Sequence, residues 1–149
     1  MQITDQVRSV LDFKGHDVFS VEPSALVYEA IETMSDRGIG ALLVMSGGNL
    51  VGLFSERDYA RKLILRGRSS RDTRIEEVMT HPVVCAGPYD TIDECMRLMT
   101  SNRIRHLPVV EGNRIQGIVS IGDLVSWIIS AQAETIDHLH SYIAGAYPR

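Results

Sequence analysis

The chain has 149 residues, 44% hydrophobic and 23% charged, enough for a core built from two half-domains that are each too small to be comfortable alone. A formal net charge of −4 and an aromatic share of 6% argue against a general nucleic-acid binder, which needs a basic surface and stacking platforms. The longest uninterrupted apolar run, Ala41–Met45, is far too short to span a bilayer, and the N-terminus carries no apolar signal-peptide core, so the expected location is the cytoplasm.

Residues 1–16 read as a lead-in helix, with Val7, Val10 and Leu11 at helical spacing. A strand at Asp17–Val21 ends at Pro23, and Ser24 stands where a helix N-cap belongs. Leu26, Val27, Ala30, Ile31 and Met34 then follow the spacing of an amphipathic helix. Strands Ala41–Met45 and Leu50–Phe54 flank Ser46-Gly47-Gly48-Asn49, whose residues tolerate the positive φ of a tight hairpin. A last helix opens at Ser55 with Tyr59, Leu63 and Ile64 on its apolar side, closing a first repeat at 17–66. Residues 67–74 read as a polar linker.

The second repeat, 75–130, runs the same way. Ile75, Val78 and Met79 form its lead-in, and Pro82–Ala86 a strand ending at Pro88. Asp90 stands at the N-cap position, ahead of a helix with Ile92, Cys95, Met96 and Met99 on one side. Strands His106–Val110 and Arg114–Val119 join across Glu111-Gly112-Asn113, and a helix from Ser120 carries Leu124, Ile128 and Ile129. Residues 131–149, with Ile136, Leu139 and Ile143, make a C-terminal amphipathic helix without a counterpart in the first repeat. Such a helix needs an apolar surface to cover, and a second subunit is the favoured one, so a homodimer is expected.

Residues 83–124 superpose on 18–59 without a gap at an offset of 65, with eleven identities among 42 positions. Ordinary composition would give roughly two or three by chance. The expected fold class is therefore α/β (α+β): two β-α-β-β-α repeats packed with pseudo-two-fold symmetry, plus a C-terminal helix, with a cleft shared between the copies.

Charge is uneven. Residues 57–74 hold seven basic side chains against Asp58 and Asp72, a local +5. This reads as a solvated face running into a linker, with an anion- or partner-facing surface as the sharper alternative. Cys85 and Cys95 have no CxxC spacing, so both are expected to be reduced, partly buried thiols, and no metal site is expected.

One motif occurs twice at the junction of the third strand and last helix: Gly52-Leu-Phe-Ser55-Glu-Arg-Asp58 and Gly117-Ile-Val-Ser120-Ile-Gly-Asp123. Ser-x-x-Asp ahead of an apolar helix is close to a capping box, in which hydroxyl and carboxylate satisfy orphan N–H groups. Repetition at a predicted cleft favours a second role. A helix N-terminus offers donors and dipole to a phosphate, and a carboxylate one turn in can accept from a ribose diol.

With Glu77-Val-Met-Thr-His-Pro-Val, Arg103-Ile-Arg-His-Leu-Pro-Val and both Gly-h-h-Ser-x-x-Asp segments in place, the chain resembles the tandem CBS-domain pair, or Bateman module, from about residue 3 to 130. Phe54-Ser-Glu-Arg-Asp-Tyr-Ala-Arg-Lys is similar to the stand-alone single-pair members of bacteria and plants. The resemblance implies adenosine-containing ligands, AMP, ADP, ATP or NAD(H), in the inter-repeat cleft, with no catalytic cofactor and no catalytic residues. Asp58 and Asp123 match the ribose-contacting aspartates, and Ser55 and Ser120 the hydroxyls beside them. Arg105 and His106 fall where phosphates are met, and main chain near Val18–Ser20 and Val84–Cys85 would meet the adenine edge. The copies differ: Gly40 and Ala41 stand opposite Arg105 and His106, and Gly122 opposite Arg57, so the two sites cannot treat phosphates alike.

The leading expectation is a non-enzymatic, energy-sensing regulatory module that signals to a regulated protein. The alternatives are a nucleotide-acting hydrolase, for which no base–nucleophile pair is visible, and a nucleic-acid or protein adaptor using residues 57–74.

Overall fold

The computed structural model of the chain describes residues 4–143, with side chains as far as Glu134. The chain divides into two units, one spanning Asp17–Val84 and the other combining everything up to His16 with everything from Cys85 onward. The helix ahead of the first repeat thus belongs to the second repeat's unit, and the segment ahead of the second repeat belongs to the first's. Among the described residues, no helix is long and apolar enough to cross a membrane.

In the unit spanning Asp17–Val84, β1 (Ser20–Val21) pairs in parallel with β2 (Ala41–Ser46), which pairs antiparallel with β3 (Asn49–Ser55). Helix α2 (Val27–Arg37) precedes the hairpin, and α3 (Glu56–Lys62) follows it, ending in a 3-10 turn at Ile64–Arg66. Val27, Ala30, Met34, Leu42, Val44, Phe54 and Leu63 form one buried cluster with Ile75 and Val78 of the second lead-in. The two-residue turn of the hairpin is Gly47-Gly48, at φ 58° and 81°, conformations that side-chain-bearing residues resist.

In the other unit, α1 (Val7–Lys14) buries Val7, Val10 and Leu11. It joins α4 (Ile92–Asn102), the β4–β5 hairpin (His106–Glu111, Arg114–Ser120) and α5 (Ile121–Ile143). At eight residues α1 is too short to persist alone in water, so burial must hold it; each such apolar side chain contributes about 1.5–3 kcal/mol. The helix is tied at its start by Val7 N–H to the Asp90 carbonyl (2.8 Å) and Arg8 N–H to the Pro88 carbonyl (3.0 Å). At its far end His16 Nδ1 meets the Gln116 carbonyl at 2.8 Å. That carbonyl belongs to a β-bulge: Val109 pairs with Gly117 but Val110 with Ile115, leaving Gln116 outside the ladder. The first repeat carries the same bulge at Val51, since Val44 pairs with Gly52 and Met45 with Leu50.

Several expectations need correction. The strand expected at Asp17–Val21 shrinks to Ser20–Val21. The one expected at Pro82–Ala86 is a single parallel bridge from Ala86 to Val109, because Pro82 has no N–H and only Ala86 completes both ladder bonds, to the Pro108 carbonyl and from Val110 N–H. The N-caps are Leu26 and Thr91 rather than Ser24 and Asp90. Thr91 Oγ1 accepts from Glu94 N–H, while the Asp90 carboxylate accepts from Gly87 N–H. Helix α2 has no side-chain cap; its first N–H groups, Val27 and Tyr28, reach the carbonyls of Thr73 and Ser70 at 2.9 Å. The segment 67–74 is thus packed onto α2, with Thr73 buried. Leu63 and Leu124 are buried, but Ile64 and Ile129, expected beside them, are mostly exposed. Cys85 is exposed and Cys95 buried, so neither is partly buried as expected. Burial first, then the Asp90 and Glu94 carboxylates, push the Cys95 thiol up to about 12, leaving it protonated at neutral pH. The backbone of α5 runs on through the expected C-terminal helix to Ile143, but the side chains of Ile136, Leu139 and Ile143 lie outside the described ones, as do residues 144–149.

Two glycines of the repeated motif mark where the lead-ins sit. A Cβ on Gly117 would lie 2.7 Å from Leu11 Cδ2, and one on Gly52 would lie 2.4 Å from Met79 Sδ. Leu11 is fully buried and cannot retreat, whereas the Met79 side chain is flexible and partly exposed. Gly117→Ala is therefore expected to lower the unfolding free energy by about 1–3 kcal/mol in urea titrations, and Gly52→Ala by less. Leu11→Ala combined with Gly117→Ala should cost less than the sum of the two single changes; strict additivity would remove Leu11 from this contact.

Candidate functional site

Both Ser-x-x-Asp segments sit where a hairpin's second strand turns into a helix. In the first, Ser55 ends β3 and is the N-cap of α3. Ser55 N–H donates to Asp58 Oδ2 at 3.0 Å, and Asp58 N–H donates to Ser55 Oγ at 3.3 Å. In the second, Ser120 N–H donates to Asp123 Oδ2 at 2.8 Å and Asp123 N–H to Ser120 Oγ at 3.1 Å. The capping box is thus present in both copies.

What surrounds the two carboxylates differs. Asp58 is only 7% exposed and filled on both oxygens. Its Oδ2 takes Ser55 N–H and the Ser55 hydroxyl, and its Oδ1 takes the Thr80 hydroxyl at 2.9 Å and Lys62 Nζ at 3.0 Å. Lys62 comes from one turn further along α3 and also reaches the Val78 carbonyl. At the position in α5 matching Lys62 the chain has Trp127, whose indole N–H donates to Asp5. The cation at Asp123 comes instead from the end of α1: Lys14 Nζ lies 2.6 Å from Oδ2 and 2.8 Å from the Ile118 carbonyl. Among the described residues no hydrogen bond reaches Asp123 Oδ1, and the side chain keeps 26% of its exposure. Lys14 and Asp123 both line a cavity of about 560 Å³ that Phe13 and Trp127 also border.

The strand pairing gathers further expected residues at the second corner. His106 lies opposite Ser120 in the β4–β5 ladder, and Ile121 N–H donates to the Arg105 carbonyl at 2.8 Å. The first corner has the same arrangement with Ala41 opposite Ser55 and Glu56 N–H on the Gly40 carbonyl. Ser120, Asp123, Arg105 and His106 therefore share one corner. Cys85 precedes the bridge that Ala86 makes to β4, and Val84 ends the other unit. In the first repeat, Ser55, Asp58 and Arg57 share the other corner, Ser20 pairs with Leu43 in β2, and Val18 lies before β1. Lys14, Lys62 and Thr80 were not foreseen. Lys62 was within reach, since it stands four residues after Asp58 on a helix. Lys14 is 109 residues from Asp123, and no local pattern links them.

Much of the basic segment is engaged within its own unit. Lys62 pairs with Asp58, Arg68 with Glu77 at 2.6 Å, Arg74 with the Ser24 carbonyl, and Arg71 lies over the Tyr28 ring. These four side chains are committed within the unit, and residues 67–74, expected as a solvated linker, are packed on α2 instead. Among the described residues no cluster of His, Cys, Asp and Glu could hold a metal ion.

At Asp123, burial works to raise the pKa, but the Lys14 ammonium and Ser120 N–H outweigh it and hold the carboxyl below its ordinary value of 3.8. A carboxyl lowered in the folded state adds stability above its unfolded pKa and loses it as the pH falls through the folded one. Urea titrations between pH 6 and pH 3 (about one unit below the ordinary carboxylate range) should therefore show wild type losing stability more steeply than Asp123→Asn. Parallel curves would mean that the carboxylate is not held by Lys14.

The CBS domain family matches this chain twice, over residues 10–65 and 75–130. The CBS domain-containing protein CBSX3 of Arabidopsis thaliana, mitochondrial by name, is 40% identical over 126 residues, covering 81% of this chain and 61% of its own. The chain thus spans under two thirds of that relative's length. A solved CBS-domain protein of Burkholderia ambifaria is 46% identical with a TM-score of 0.82, covering 86% of this chain and 96% of its own. The CBS domain pair of protein MJ0100, solved with 5-methylthioadenosine and S-adenosyl-L-methionine, shares the fold at a TM-score of 0.74 and 24% identity, covering 87% of this chain and 98% of its own. The chain belongs to the CBS-domain family and carries two CBS domains in tandem.

Proposed function

We propose that this CBS-domain pair is a non-catalytic regulatory module that binds an adenosine-containing ligand at the Ser120/Asp123 corner. The observation that carries this reading is the unfilled Oδ1 of Asp123 beside a cavity, while both oxygens of Asp58 are occupied. A ribose hydroxyl can donate to Asp123 Oδ1 without displacing anything, whereas at Asp58 it must displace Thr80 or Lys62. Arg105 and His106 stand beside Ser120 to meet a phosphate, and the main chain at Cys85, ahead of the Ala86 bridge to β4, is the proposed partner of the base. The Ser55/Asp58 corner, with Arg57 and the backbone at Val18 and Ser20, is the weaker site.

AMP and NAD(H) are the proposed ligands, and the adenosyl compounds bound by MJ0100 support the adenosine class. The module acts as a homodimer in the cytoplasm and passes the bound state to a regulated protein. A ligand shifts such an equilibrium only by its differential affinity for the two states.

Thermal melting against AMP, ADP, ATP, NAD(H) and S-adenosylmethionine tests the ligand class, since a bound ligand raises the melting point by mass action. At least one is expected to raise it, and a flat panel at millimolar concentration contradicts the reading. A charge-assisted hydrogen bond is worth about 1.5–3 kcal/mol, so Asp123→Ala should weaken the ligand about tenfold to a hundred-fold in calorimetry. Asp58→Ala should lower the melting point while leaving the affinity within a few-fold. Unchanged affinity in Asp123→Ala would leave that residue as a helix cap alone.

A further inference from the structure

We infer that Lys14 is a specificity residue of the Asp123 corner, moving from the carboxylate to an anionic group of the ligand and so selecting phosphorylated over neutral adenosine compounds. The inference rests on the reading above and adds a residue that lies outside both repeats of the motif.

The geometry sets up an exchange. Asp123 Oδ2 already accepts Ser120 N–H at 2.8 Å and Lys14 Nζ at 2.6 Å, which occupies its acceptor positions. A single hydroxyl fits on Oδ1, but a ribose diol held by both oxygens requires Lys14 to leave Oδ2. The ammonium can do so: its side chain is 35% exposed, lines the same cavity as Asp123, and is carried on a flexible four-carbon stem. Where it goes decides the affinity. A neutral adenosine removes the ammonium's carboxylate and offers it nothing in return. A ligand with a phosphate in the cavity supplies a new charge-assisted partner, a difference of about tenfold.

In the first repeat the exchange starts from a buried carboxylate: Asp58 is 7% exposed, Lys62 shares its Oδ1 with the Thr80 hydroxyl and its Oδ2 is filled by Ser55, so even a single hydroxyl must displace a donor. The position of Lys14 also gives binding a mechanical consequence. It is the last residue of α1, and its ammonium ties that end of the helix to the Ile118 carbonyl and to Asp123. When Lys14 turns to a phosphate, the hydrogen bonds among the described residues that hold this end of α1 to the β4–β5 hairpin reduce to His16–Gln116, beside the Phe13–Trp127 ring contact.

Calorimetric titration of adenosine and of AMP into wild type, Lys14→Met and Lys14→Arg tests this. Wild type should bind AMP about tenfold or more tighter than adenosine. In Lys14→Met the AMP-to-adenosine ratio should fall several-fold, with AMP weakened and adenosine unchanged or tighter and Arg105 and His106 supplying the preference that remains, while Lys14→Arg keeps the wild-type ratio. A Lys14→Met protein that retains the wild-type ratio overturns the role of Lys14 and leaves the ligand site standing. Wild type that binds neither compound overturns the site itself and the inference with it. If Lys14→Met does not fold, Lys14→Gln, which removes the charge and keeps a donor, is read by the same criteria.

Discussion

The exchange of lead-in segments is the constraint on which the rest of this structure depends. Val7, Val10 and Leu11 stand ahead of the first repeat yet are buried in the unit of the second, and Ile75 and Val78 stand ahead of the second yet complete the buried cluster of the first. Neither segment is long enough to be a stable helix by itself, so each is shaped by the surface it covers. The motif glycines belong to this exchange. Gly117 leaves room for Leu11, and Gly52 leaves room for Met79, where any Cβ would collide. A residue type repeated at the strand before the helix is thus explained by packing, independently of any ligand.

The same exchange decides which cation reaches which carboxylate. In the first repeat the second lead-in brings the Thr80 hydroxyl to Asp58, and Lys62 follows on α3. In the second repeat Trp127 takes the helix position that Lys62 holds in the first, and the first lead-in delivers Lys14. One motif therefore yields two electrostatic settings: a saturated, buried carboxylate and a half-open one beside a cavity. Capping does not use up the second carboxylate, because the capping box takes Oδ2 of Asp123 and leaves Oδ1 outside it.

The sequence made the repeat legible through its 65-residue offset, and both hairpins and both Ser-x-x-Asp corners because each is encoded within a few residues. Gly47-Gly48 sets its turn by φ, and Ser55 with Asp58 by capping geometry. It did not show which unit each lead-in joins, since Val7-Val10-Leu11 has the same spacing whichever sheet it covers. The missing strand at Pro82–Ala86 and the shifted N-caps have a related cause. Tertiary partners, the carbonyls of Ser70 and Thr73 above all, supplied hydrogen bonds that a local reading assigned to Ser24. Of the candidate site, Ser120, Asp123, Arg105 and His106 were named from their positions and share one corner, whereas Lys14 is visible only in three dimensions.

The central claim is that identical motifs have become unequal sites. Amide chemical shifts of both corners, followed in one heteronuclear spectrum as AMP is added, address it directly. The account predicts saturable movement of the Ser120, Ile121, Gly122 and Asp123 amides at a lower AMP concentration than any movement of the Ser55, Glu56, Arg57 and Asp58 amides. Movement of both corners with a common midpoint, or of the Ser55 corner alone, would contradict it.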